Sequence, residues 1–343
     1  ASDLSAARQA FERGDLDTAI DVAQPLYAAN PNRIDVLLVL VRALIYRSYS
    51  DYDTARDRQT ALSLTAAAIT QRPNDPEVLA LHAFALHADG QSVAAFKTAE
   101  QALRTAPEHI LARIVYGMAY GGAGALDNAL REHQQTLATL DPGIWRLELL
   151  RALAIAYSDV GRYREAGELV EQALALNPHL PVLHYERALY ALQLGDSNTA
   201  TEAYFEVLAQ SPDSVKARLR LCELSSMLRE RETALGYCNE VVERAPTWAE
   251  GWHMLGREYF LEGDFPAAQN AFNRCSSLQI MQAVPVAERT FECWYLQGQA
   301  AEINGDCPAL LATYNEFRAM SAAYPIPQTW AYPPEGPALC VQS

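Results

Sequence analysis

The chain has 343 residues, half of them hydrophobic, and 27 basic side chains against 42 acidic ones leave a net charge of −15. That is the wrong sign for a nucleic-acid backbone or an anionic membrane surface, both of which need a positive face, so neither is an expected partner. No apolar run approaches the roughly 20 residues of a membrane span, and the abundant Ala and Leu favour helix because neither loses much side-chain freedom in it.

The chain opens on Ala1-Ser2-Asp3 without an initiator Met, as expected of a mature chain cut by a signal peptidase behind a small-residue site. An internal period then organises the rest. Turn residues recur at Gly90, Gly124, Gly161, Gly195, Arg229 (in a glycine's place) and Gly263, in steps of 34, 37, 34, 34 and 34. Unit-ending prolines fall at Pro73, Pro107, Pro178, Pro212 and Pro246, and a small residue holds one place in each unit at Ala95, Ala129, Ala166, Ala200, Ala234 and Ala268. The glycine permits the left-handed turn that ends one helix, the alanine lets two helices approach, and the proline stops the second.

The departures are informative. The first unit has Gly14, Leu16, Ala19 and Pro31, but its first helix is short and no obvious polar capping helix is present. The second unit is over length at Tyr46-Arg47-Ser48-Tyr49-Ser50-Asp51-Tyr52-Asp53, a polar, aromatic loop between its helices. A second over-length join runs from Gln279 to Arg289 with Pro285 inside. The last unit keeps Trp294, Gly298 and Gly305 but has Leu310 where Ala is usual, so its helices are expected to sit further apart. After Ala322 the pattern stops. Residues 323–343, rich in Pro, Tyr and Trp330, read as an extended polyproline-like tail that Cys340 would anchor if bonded.

The stretch Trp252-His253-Met254-Leu255-Gly256-Arg257-Glu258-Tyr259, followed by Gly263, Phe265 and Ala268, resembles the tetratricopeptide repeat family, whose unit is a helix–turn–helix of roughly 34 residues. Tyr116-Gly117 with Tyr120, and Leu153-Ala154 with Tyr157, Gly161, Tyr163 and Ala166, are further copies. The resemblance implies an all-α fold, a right-handed superhelical solenoid of about nine units over residues 1–322. In this family the first helices line a concave groove, and ligands touch two residues about a turn apart on each. Carried over, those places are Ala80 and Phe84, Ile114 and Met118, Arg151 and Ile155, Tyr185 and Leu189, Leu219 and Glu223, His253 and Arg257, and Tyr295 and Gln299. Phe84, Ile114, Met118, Arg151, Ile155, Tyr185, Leu189, His253, Arg257 and Tyr295 are the candidate protein-binding residues. The Lys/Asn set with which some members clamp a peptide carboxylate is absent, and the middle of the strip is apolar. Either these side chains are buried between the helices of a tightly wound solenoid, or the strip receives an apolar or aromatic segment of another chain.

Six cysteines (Cys222, Cys238, Cys275, Cys293, Cys307 and Cys340) lie in the last 122 residues, with no C-x-x-C pair, so zinc-ribbon and thioredoxin-type sites are excluded. Their even number points to disulfides and an oxidising, exported setting, periplasmic or extracellular. Sequence alone leaves every pairing open. The solenoid implied by the resemblance favours Cys222–Cys238 within the seventh unit, Cys275–Cys293 between neighbouring helices, and Cys307–Cys340 to the tail.

Chemistry-bearing motifs are missing. There is no H-E-x-x-H, G-x-S-x-G, Gly-rich phosphate loop or EF-hand spacing. His82 and His87, five apart, share no helix face well, Asp51-Tyr52-Asp53 reads as an exposed turn, and Gly121-Gly122-Ala123-Gly124 follows a helix and is a repeat turn. No catalytic residue, cofactor or metal is expected. The expected function is a non-catalytic, extracytoplasmic scaffold that binds a protein or peptide through its groove and its ends. The alternative is a structural subunit stacking copies of itself end to end into an extracellular filament, because terminal repeats expose faces that neighbours would cover and a non-closing contact makes a fibre.

Overall fold

The computed structural model of the chain describes residues 2–326, 329–333 and 336–341. Ala1 and, in the tail, Pro327-Gln328, Pro334-Glu335 and Gln342-Ser343 lie outside the described residues. Among the described residues every regular element is a helix. The helices come in antiparallel-type pairs joined by short turns: α1 (Ser2–Glu12) with α2 (Leu16–Ala29), α3 (Ile34–Arg47) with α4 (Asp57–Gln71), and α5 (Pro76–Ala88) with α6 (Ser92–Thr105). Next come α7 (Ile110–Gly122) with α8 (Leu126–Thr139), α9 (Arg146–Asp159) with α10 (Tyr163–Leu176), and α11 (Pro181–Gln193) with α12 (Ser197–Gln210). The last are α13 (Val215–Met227) with α14 (Arg231–Arg244), α15 (Ala249–Glu262) with α16 (Phe265–Met281), and α17 (Glu292–Asn304) with α18 (Cys307–Ala323); the tail holds one turn, α19 (Ala338–Val341). The first six pairs form one compact unit, Ala1–Asp213, and the last three pairs with the tail form another, Ser214–Ser343.

Local chemistry explains the pairs. Gly263 ends α15 with φ 86°, in the left-handed region, and Asp264 behind it caps α16 by accepting from the Ala267 amide at 3.1 Å. Arg229 holds the matching place before α14 with φ 63°, where a Cβ is strained. The glycine inside two of the first helices, α7 and α15, also has a steric reason. A Cβ on Gly256 would lie 2.8 Å from the Phe272 ring, and one on Gly117 would lie 2.5 Å from the His133 ring. In these two pairs a ring of the second helix thus seats on bare backbone of the first.

The two over-length segments are ordered. Between α3 and α4, Thr54 Oγ1 donates to the Arg47 carbonyl at 2.8 Å and Arg47 pairs with Asp57 at 2.6 Å. Between α16 and α17, a 3-10 turn at Val286–Glu288 is held by Gln279 Oε1, which accepts from the Thr290 amide at 2.7 Å, and by Arg289, which donates to the Val284 carbonyl at 2.8 Å.

Candidate binding surfaces

Within the first compact unit, side chains of distant helix pairs meet. Arg42 of α3 reaches Glu148 of α9 through two contacts, Nε to Oε1 at 2.7 Å and Nη2 to Oε2 at 3.0 Å. Its guanidinium also lies 4.5 Å from the Phe11 ring centre and 4.9 Å from that of Trp145. The second and fifth pairs therefore meet through these side chains. The first pair meets the turn between α10 and α11, where Asn177 Nδ2, buried, donates to the Phe11 carbonyl at 2.9 Å. The long loop after α3 occupies the space between. Tyr49 lies 4.8 Å below the Arg151 guanidinium, and the Ser50 carbonyl accepts from Tyr185 Oη at 3.2 Å. Arg151 also donates to Glu186 at 2.7 Å. Burial opposes its charge, but Glu186 and the facing Tyr49 and Tyr46 outweigh burial and keep it protonated. Nearby, His87 and His133 are each lowered to about 4, chiefly by burial and secondly by Arg151 for His87 and by His87 for His133, and each Nδ1 is buried without a hydrogen-bond partner among the described residues.

The second compact unit presents a charged strip along its first helices. Arg220 of α13 pairs with Glu223 at 2.6 Å and approaches Glu250 of α15 to 3.9 Å. His253 Nε2 of α15 meets Glu292 Oε2 of α17 at 2.8 Å. This hydrogen bond lowers the Glu292 carboxyl from its ordinary value, whereas burial raises that of Glu250. Arg257, one turn past His253, is exposed and has no ion pair among the described residues.

At the end of this unit the tail is docked. Three disulfides join Cys222 of α13 to Cys238 of α14, Cys275 of α16 to Cys293 of α17, and Cys307 of α18 to Cys340 of α19, with Cα separations of 5.4, 5.9 and 5.5 Å. Between the last bridge and α18, Trp330 packs edge-on against Tyr314 at 5.0 Å, Phe317 at 5.3 Å and Tyr295 at 6.1 Å. A Cβ on Gly298 would run into the Trp330 ring. Trp330 thus sits against the bare backbone of α17, as Phe272 does on Gly256 one repeat earlier. Tyr332 extends the contact, its hydroxyl donating to Glu302 at 2.7 Å and its amide to Tyr314 Oη at 3.0 Å.

Tetratricopeptide repeat family profiles match residues 151–215 and 249–279. The chain carries tetratricopeptide repeats. No curated protein matches it in sequence. Among solved structures it is similar to a chain of the APC/C hetero-tetramer Cut9-Hcn1, at 13% identity and TM-score 0.62 over 86% of this chain, and it spans only 54% of that chain. It is similar to a tetratricopeptide repeat protein from Parabacteroides merdae (19% identity, TM-score 0.52, 71% of this chain and 93% of that one). It is also similar to the human IFIT1 dimer with PPP-AAAA (14% identity, TM-score 0.59, 93% and 82%). At these identities the likeness is one of fold.

Within the solenoid the expected groove residues have different surroundings. Phe84 and Ile114 are buried, Arg151 is buried and paired, and Met118, Ile155 and Tyr185 are half-buried. Leu189 is 48% exposed and Arg257 is exposed, whereas His253 and Tyr295 are half-buried, Tyr295 beneath Trp330. The histidines hold structure: His82 meets Thr65 Oγ1 at 2.9 Å, His109 caps α7 through the Ala112 amide at 3.3 Å, and His184 donates to the Pro178 carbonyl at 2.8 Å. Among the described residues no cluster of His, Cys, Asp or Glu is placed to hold a metal ion, and no helix is long and apolar enough to cross a membrane. Arg42 and Glu148 escaped the sequence reading, although a signal existed: Arg42 is the one charge in the apolar run Val36–Tyr46.

Proposed function

We propose that this chain is a non-catalytic scaffold outside the cytoplasm that holds a protein partner on the first-helix strip of its second compact unit, with His253 and Arg257 as the contacts. Arg257 carries the proposal: an exposed guanidinium without an ion pair among the described residues, one turn from His253 on the face where repeats of this family receive ligands. Arginine is enriched among residues that dominate protein interfaces because its planar fork binds carboxylates and carbonyls bidentately. In the first compact unit, Leu189 is exposed and Met118 and Ile155 are half-buried, while Phe84 and Ile114 serve the core. The test uses the disulfide-intact protein as bait in extract from its source, with bound proteins quantified by mass spectrometry. His253→Ala with Arg257→Glu should deplete the specifically bound proteins while leaving the circular dichroism unchanged. Equal recovery on both baits would remove the strip as the site.

An oxidising location is supported by the three bridges, which include every cysteine of the chain. Peptide mapping of native protein without reductant should return the same three cross-linked pairs, and free thiols throughout would contradict the location. End-to-end assembly into a filament is the weaker alternative, because Trp330 and Tyr332 cover aromatic side chains of the last pair that a neighbouring molecule would otherwise cover. Light scattering on native protein distinguishes the two, and a filamentous species would reverse the order.

A further inference from the structure

The first compact unit contains a cleft of about 480 Å³ that none of the repeat's packing requirements explains. Phe11 of α1, Leu38 and Val39 of α3, Ile144 and Leu147 around the start of α9, and Leu176 at the end of α10 form its apolar wall. Arg8, Arg42 and Arg146 supply its cations, and Glu12 is the one carboxylate lining it. Arg42 is committed to Glu148 and clasped between two rings. Arg8 and Arg146 are different: both are exposed, and neither has an ion pair among the described residues. A chain with net charge −15 thus keeps two unpaired guanidinium groups at the mouth of an apolar hollow. At the same mouth Ile144 is 61% and Leu176 48% exposed.

From this we infer that the cleft binds a small amphiphilic carboxylate, with its single anionic head between Arg8 and Arg146 and its alkyl chain against Leu38, Ile144 and Leu176. Charge complementarity selects the head, since guanidinium binds carboxylate through paired, charge-assisted hydrogen bonds. The wall selects the body, since apolar surface is the favourable place for an alkyl chain. The volume lies in the range of small-molecule pockets, roughly 300–1,000 Å³. A peptide laid along the first helices is disfavoured because the Arg42–Glu148 bridge ties α3 to α9 and forms one side of the hollow. This site is separate from the strip at His253 and Arg257, so either can fail without the other.

The experiment titrates the full-length, disulfide-intact protein with dodecanoate below its micellar concentration, by calorimetry, with dodecanol, dodecyltrimethylammonium and an acidic, leucine-rich peptide in parallel. One saturable dodecanoate site is expected, with the alcohol and the cation binding more weakly. Arg8→Gln with Arg146→Gln should weaken dodecanoate at least about tenfold, the loss of charge-assisted hydrogen bonds, and Leu38→Trp should block the cleft. Arg164→Gln, an exposed arginine of α10 outside the cleft, should change nothing. The proposal is overturned if dodecanoate does not bind, if it binds no better than dodecanol, if the double substitution leaves its affinity unchanged, or if the peptide binds there in its place.

Discussion

Replacing Glu148 by alanine tests whether the first compact unit is closed by its own side chains. The Arg42 and Glu148 side chains are 11% and 2% exposed and share two short contacts. Removing one partner of such a buried pair leaves an uncompensated charge and typically costs about 3–5 kcal/mol. Arg42 would still donate to the Ile144 carbonyl at 3.1 Å and lie against two aromatic rings, which places the expected loss near the lower bound, about 3 kcal/mol. Hydrogen exchange is the suitable assay because a repeat array need not unfold in one step. Amides of α3 and α9 should lose protection by that amount, while those of α15 and α16 in the other unit keep theirs. The double change Arg42→Met with Glu148→Leu should recover most of the loss, since apolar pairs of similar volume replace buried ion pairs well. A loss under about 1 kcal/mol in the single variant would refute the closure as an energetic feature.

Three further outcomes are expected. Arg229→Gly should raise the thermal stability of the second compact unit by roughly 0.5–1 kcal/mol, because the left-handed backbone strain of about 1–2 kcal/mol is relieved and part of the gain is lost to glycine's chain entropy; a lower melting temperature would contradict it. His87 and His133 have folded values of about 4, below the unfolded value of about 6.5, so the unfolded chain binds more protons between these limits. The stability they contribute is therefore complete above about pH 6.5 and is lost as pH falls toward 4, by up to about 3 kcal/mol per histidine. His133→Phe, which copies the Gly256–Phe272 contact, should flatten half of this acid limb in denaturant titrations at several pH values, and an unchanged limb would show that burial there does not control it. Gly298→Ala should expel Trp330, shifting tryptophan emission to the red, speeding proteolysis of the tail and costing about 1–2 kcal/mol, less than for a fully buried ring; an unshifted spectrum would mean that the contact is loose.

The fold was legible because the repeat is a local device. Gly263, Gly256 and Ala268 act on helices within one pair, so their spacing of a few turns records the contact directly, and a period of 34 residues repeats the record along the chain. The loop Tyr46–Asp53 was visible as a departure, yet what it accommodates was not. The loop feeds Tyr49 and Ser50 to Arg151 and Tyr185, more than a hundred residues ahead, and the gap beside Gly298 takes a tryptophan from beyond the last helix. Arg42 meets Glu148 across 106 residues and Asn177 meets Phe11 across 166. Such meetings depend on the small rotation added at each pair, summed over several pairs, and no single stretch of sequence contains that sum. Composition and period were enough to establish helices, pairs and the family. Which side chains of the strip remain open to a partner, and which close the first compact unit on itself, was decided only when the pairs were stacked.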